Sequence, residues 1–213
     1  YMIMSYLGPN LEELFIYCKK TFSLKTSILL SLQIFDIIKG VHESGIIHRD
    51  IKPDNFVIGF GESHNKIYLI DFGLSTWYID KTTMQHNKYE HKHQFTGSFR
   101  YSSINNHKGI RQSRRDDLES VGYMLVYFLK GSLPWQGLKK KSKGTKHLVE
   151  IGNIKMSTSI DLLCDGLPNC FKDYLKYCRE LGFDEDPNYE YLILLFKKTA
   201  EELELKLNYE WIK

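Results

Sequence analysis

Hydrophobic residues along the chain follow two spacings. Ile28, Leu32, Phe35, Ile38 and Val41 step by three and four residues, which puts them on one face of a helix; Ser23 can cap its first turn and Gly45 ends it. Residues 11–15 (LEELF) predict a shorter helix whose acidic first turn suits the helix dipole. Residues 117–130 are apolar almost all round (Leu118, Val121, Leu125, Val126, Leu129), the pattern of a helix buried through the middle of a domain, and the string GSLPW from Gly131 breaks it. Two more helices are predicted. One covers 168–181, with Phe171, Leu175 and Cys178 on one face and Gly182 as its stop; the other starts at Asp186-Pro187 and carries Leu192, Leu195 and Phe196. Strand-like runs are short: residues 1–6, turned by Leu7-Gly8-Pro9-Asn10, and the pair 56–58 and 67–69 joined around Gly59 and Gly61. The sum is an α+β chain, mainly α.

Composition narrows this to one domain or part of one. At 213 residues and 42% hydrophobic content the chain can bury a sizeable core and is not of disordered type. A net charge of +3 is mild and implies no nucleic-acid partner. Cys18, Cys164, Cys170 and Cys178 form no Cys-x-x-Cys pair, nothing like a secretory leader precedes them, and no Asn-x-Ser/Thr sequon occurs. They read as reduced, partly buried thiols of a cytosolic or nuclear protein. The longest apolar run, 121–129, is far below the roughly twenty residues a membrane-spanning helix needs.

The chemistry concentrates between the first long helix and the strand pair. His48-Arg49-Asp50 is followed after four residues by Asn55, and Asp71-Phe72-Gly73 comes sixteen residues later, the order of a phosphoryl-transfer site. Moving a γ-phosphoryl group needs a carboxylate to orient the attacking hydroxyl and hard oxygen ligands to hold Mg2+ against ATP. Asp50 can supply the first, Asn55 and Asp71 the second, and Lys52 a point charge for the moving phosphoryl group. Any polar loop contains such residue types, but two motifs in the right order, the second led by a strand-like run, make coincidence a poor reading. Residues 74–98 are polar, irregular and histidine-rich, as suits a mobile activation and substrate-binding segment. His86, His91 and His93 lack the companions of a metal site and read as solvated loop histidines. Lys139, Lys140, Lys141, Lys143 and Lys146 form a basic run that fits a solvated loop, an anion site or an import signal.

Several longer strings point further: Leu7-Gly8-Pro9 followed by Leu11-Glu12, HRDIKPDNF from His48, Ser103-Ile104-Asn105 in place of the usual Ala-Pro-Glu, SRRDDLES from Ser113 and GSLPWQGL from Gly131. With these the chain resembles the casein kinase 1 family of serine/threonine protein kinases from its first residue nearly to its last. The resemblance implies a protein-kinase-like fold and ATP-dependent phosphorylation of acidic or pre-phosphorylated protein substrates. It implies that Met4 stands behind the adenine, that Tyr6 and Leu7 form the hinge, that Val57 and Ile70 line the pocket floor, and that Glu13 sits near the ribose. Asp117 is implied to hold the catalytic-loop backbone, and Arg100 and Lys146 to grip a substrate phosphate. Where the family places two further lysines this chain has Thr76 and His93, which leaves that phosphate site weaker in charge. No Gly-rich loop, phosphate-anchoring lysine or partner glutamate precedes Tyr1, so residues 1–213 are expected to be the larger C-terminal lobe with only the hinge strand of the smaller one. An uncovered hinge strand would expose apolar groups, so an upstream lobe or another chain is expected over it. The competing reading is a non-catalytic kinase-fold scaffold; the intact Asp50, Lys52, Asn55 and Asp71 weigh against it.

Overall fold

A computed structural model describes residues 5–137, 145–206 and 208–211. Of the strand expected at 1–6, residues 1–4 lie outside the described residues and residues 5 and 6 are in no strand; most of the basic run, Lys139 to Lys143, also lies outside the described residues. Residues 8–10 do more than turn the chain. They run along the free edge of the first strand of the central hairpin, with Gly8 N–H donating to Ile58 O (2.8 Å), Ile58 N–H to Pro9 O (3.1 Å), and Asn10 bridging Val57.

Helix α1 spans Leu11–Tyr17 and is closed at its start by a reciprocal pair: the Asn10 side chain accepts from Glu13 N–H, and the Glu13 carboxylate accepts from Asn10 N–H, each at 2.9 Å. Helix α2 spans Leu24–Glu43 behind the Ser23 cap, and Gly45 follows it at φ +80°, as the spacing predicts. Its buried face is wider than the expected stripe. Ile28, Ile34, Phe35, Ile38 and His42 are all covered, because the helix is packed on two sides.

Helix α4, Arg114–Lys130, starts three residues before the predicted point because Asp116, at its third position, accepts from Ser113 N–H at 2.7 Å and so supports an earlier first turn. It runs buried through the core and ends at Gly131, φ +77°. Helix α7, Asn169–Glu180, lies across it, and Gly122 lets the Leu175 and Tyr174 side chains come close to the α4 backbone. Helix α8, Tyr189–Glu202, begins at an Asn188 cap two residues after the predicted start and packs on α2, where Phe35, Tyr174 and Phe196 meet with ring centroids 5.1–5.8 Å apart.

Three helices were not predicted: α3 (Ile104–His107), α5 (Thr145–Ser157) and α6 (Ile160–Leu163). Two small antiparallel sheets accompany the helices. Strands β2 (Phe56–Ile58) and β3 (Ile67–Leu69) pair as expected, Val57 opposite Tyr68, and β1 (Ile46–Ile47) pairs with β4 (Thr76–Trp77), a non-local contact that two-residue runs do not announce. The fold is thus the mainly helical, kinase-like one. Burial raises the thiol pKa of Cys164 and Cys170 to about 11, and all four cysteines are free. No helix among the described residues is long and apolar enough to cross a membrane.

Candidate active site

The loop between β1 and β2 carries His48, Arg49 and Asp50, and its backbone is bent against preference: Arg49 sits at φ +68°. Asp117, at the start of α4 and fully buried, holds that bend by accepting from His48 N–H (2.7 Å) and Arg49 N–H (2.9 Å). Its Oδ2 also meets His42 Nε2 at 3.0 Å, and His42 Nδ1 meets the Tyr189 hydroxyl at 2.6 Å, so α2, α4 and α8 all brace one turn. Burial alone would raise the Asp117 pKa, but the His42 contact and the backbone donors outweigh it and keep the group ionised.

Asp50 follows the bend and is 7% exposed. Its Oδ2 accepts from Lys52 Nζ at 2.6 Å and its Oδ1 from Ser98 Oγ at 2.7 Å. Burial pushes its pKa up, yet the hydrogen bonds from Lys52 and Ser98 and the Lys52 charge more than offset this, and the carboxyl lies below its ordinary value. Asn55 donates Nδ2 to the Asp50 carbonyl at 2.8 Å, which commits its nitrogen to the loop and leaves its amide oxygen as the group it can offer a cation. The β3 end is tied in as well: Ile70 N–H donates to Asn55 O (2.9 Å), and Ile70 O lies 3.2 Å from His48 Nε2. Asp71 comes next, exposed, at φ +62°, its Oδ1 accepting from Gly73 N–H at 3.2 Å. An exposed carboxylate and a positioned amide oxygen are the hard donors a Mg2+–phosphate complex takes, so the residues fit the cation.

The remaining expected residues separate into groups. Tyr6, Leu7 and Ile70 line one shallow cavity with Phe60 and Tyr68, whereas Val57 is buried at the Asn10 bridge and does not line it. Glu13 is exposed with its carboxylate turned to Asn10 N–H, and Met4 lies outside the described residues. Arg100 lines a larger cavity of about 750 Å3 beside Lys52, Ser98 and Trp135. Its guanidinium lies over the rings of Tyr101 (5.6 Å) and Tyr127 (5.4 Å). Lys146 is exposed and not among that cavity's lining residues.

His93 is not brought together with Arg100. It lines a separate cavity of about 250 Å3 with Arg49, Thr76, Trp77 and Arg111. There Glu90 takes both positive partners, its Oε2 3.0 Å from His93 Nε2 and 3.0 Å from Arg111 Nη1. Arg100 and His93 thus line different cavities. The backbone bond from His93 N–H to Gly109 O (2.9 Å) ties His93 to the segment after α3. His86 also departs from expectation, since it is half-buried against Tyr78 and Phe183 and burial lowers its pKa. Ser98, Glu90, Arg111 and Lys155 were not singled out in the sequence, because their partners are distant along the chain or their residue types are common in loops.

An ionised carboxylate, a lysine beside it, a second carboxylate after a short strand and a bracing aspartate at the start of a later helix follow one another here in the order of a phosphoryl-transfer lobe. The comparison with known protein families agrees with that order. Residues 1–182 match the protein kinase domain, most of the chain, and the chain belongs to that family.

Proposed function

We propose that the protein is a serine/threonine protein kinase of casein kinase 1 type, transferring the γ-phosphoryl group of ATP to acidic or pre-phosphorylated protein substrates. The observation that carries the transferase reading is the Ser98 hydroxyl on Asp50 Oδ1 at 2.7 Å. It stands where an incoming serine or threonine hydroxyl would donate, within the distance general-base transfer requires. Asp50, ionised at neutral pH, takes the proton of that hydroxyl as its oxygen attacks the γ-phosphorus and the bond to the ADP oxygen breaks. Lys52, 2.6 Å from the other carboxylate oxygen, holds Asp50 in register and sets a positive charge beside the transferred group. Asn55 and Asp71 would hold Mg2+, which neutralises phosphate charge when bound.

The finer assignment is supported by the way the family-like strings meet in space. Ser103 Oγ donates to Asp116 at 2.5 Å, joining SIN to SRRDDLES, and Trp135 Nε1 donates to Arg100 O at 2.7 Å, joining GSLPWQGL to the cavity wall. Arg100, with Lys146, is the proposed receiver of the substrate's acidic or phosphorylated group. Glu12 on the same cavity tempers the Arg100 charge. On this reading the other side of the nucleotide is covered by a small lobe outside residues 1–213, from the natural chain or another one.

The test is Asp50→Asn in the full-length natural chain. Turnover on a protein substrate should fall about a hundredfold or more while ATP affinity stays near wild type. Unchanged turnover would remove Asp50 from the chemistry.

A further inference from the structure

Lys155, on α5, has no solvent exposure. A buried ammonium is costly unless its protons are used, and here they are: Nζ donates to Phe99 O at 2.8 Å and to Ser102 O at 2.6 Å. The charge lies 5.1 Å from the ring centroids of both Tyr123 and Trp135. Trp135 in turn donates to Arg100 O, so three carbonyls of one short turn are drawn toward α5 and the segment after α4. The turn closes on itself through Tyr101 and Ser102 N–H donating to Ser98 O at 3.2 and 3.1 Å. Ser98 is the residue on the Asp50 carboxylate, and residues 97–101 form a wall of the cavity that opens beside Lys52.

A methionine would fill the Lys155 space without burying a charge. What the lysine adds is the pair of carbonyl bonds. Without them two inward carbonyls lose their donor, and the turn must swing toward water to satisfy them. We infer that Lys155 is a positioning residue: it holds the turn 98–102 in the shape that presents the cavity wall to a substrate peptide, and so sets peptide affinity without touching the nucleotide. This rests on the kinase reading above.

The experiment compares wild type, Lys155→Met and Lys155→Arg in the full-length natural chain, with an acidic, unphosphorylated peptide and ATP. The Met variant should raise the peptide KM about tenfold and leave the ATP KM unchanged; Arg, which keeps a charged donor, should recover part of the loss. Amide exchange at Tyr101 and Ser102 should quicken about tenfold in the Met variant, with the α4 and α5 amides unaffected. A folded Met variant with wild-type peptide KM and wild-type exchange at these two amides overturns the inference, as does a rise shared equally by peptide and ATP. Should Met not fold, Lys155→Arg decides: a loss smaller than that of the shorter, uncharged Lys155→Gln supports positioning by charge and two bonds, whereas a loss as large as that of Gln overturns it. The exchange readout needs no catalysis. Altered exchange in a protein whose wild type transfers no phosphate would sink the kinase reading and leave the positioning role standing.

Discussion

At the scale of single residues, the site depends on backbone shapes that side chains alone do not reveal. Gly97 sits at φ +94°, and a Cβ there would run into the Arg49 carbonyl oxygen and approach Asp50 Oδ1 at 3.4 Å. Gly97→Ala therefore faces both a left-handed backbone cost and a clash with backbone that Asp117 already fixes. A stability loss of about 2 kcal/mol or more is expected in urea unfolding, with a larger fractional loss of turnover. A variant within 0.5 kcal/mol of wild type, taken as roughly the range of neutral surface substitutions, would show that the Arg49 bend is free to relax. The candidate site residues themselves were legible, because Asp50, Lys52, Asn55 and Asp71 lie within 22 residues and the loop between two short elements brings them together. Lys155 was not, since a lysine in a polar helix reads as solvated until Phe99 and Ser102 are seen above it. Nor could the sequence separate His93 from Arg100, only seven positions apart, because the contacts that part them run to Gly109 and Arg111.

At the scale of elements, packing decides against intrinsic preference in α4. Alanine is the better helix former by about 1 kcal/mol, so Gly122→Ala would stabilise an exposed helix. Here the added Cβ would stand 2.5 Å from Leu175 Cδ2 and 3.0 Å from Tyr174 Cε1, and both side chains are buried on α7, with Tyr174 also donating to Leu118 O at 2.9 Å. Overpacking of this kind costs about 1–3 kcal/mol, so a net loss of about 1 kcal/mol is expected, read as a lower Tm with unchanged peptide KM. A raised Tm would mean α7 can shift outward. The elements that sequence reasoning found, α1, α2, α4, α7, α8 and the β2–β3 hairpin, are those with a local signal to read, a periodicity or an acidic first turn. α3 and α6 are four residues each, α5 follows a lysine run that masks its start, and β1 and β4 have two residues apiece. Such pieces exist because of tertiary contacts, and periodicity carries no trace of those.

At the scale of the whole molecule, the turn at residues 98–103 is underlain by groups that titrate in opposite senses. Asp116, beneath Ser103, is fully buried; burial and nearby Glu119 carry its pKa to about 7, against the hydrogen bonds from Ser103 and Ser113. Its unfolded value is near 3.8. Between these limits the folded state keeps a proton the unfolded chain has released, so this group's contribution to stability falls as pH rises. His107, whose Nε2 lies 3.1 Å from Ser102 Oγ, is pushed the other way: burial, then the Lys155 charge, lower its pKa from 6.5 to about 4. Here the unfolded chain holds the extra proton, so the contribution rises with pH across that window, and His86, lowered mainly by burial, adds to the rise. The two effects are of similar size and lie beneath adjacent residues of one turn. Wild-type stability should therefore change little between pH 4.5 and 6.5, below the range where Lys155, with a pKa of about 7, begins to discharge. His107→Gln should expose the Asp116 effect as stability that declines with rising pH, and Asp116→Asn the opposite slope. Urea unfolding at pH 4.5, 5.5 and 6.5 on the three proteins measures this directly. If both variants kept the wild-type profile, the near-flat curve would reflect two groups that do not titrate in this window, and the balance beneath the turn would be absent.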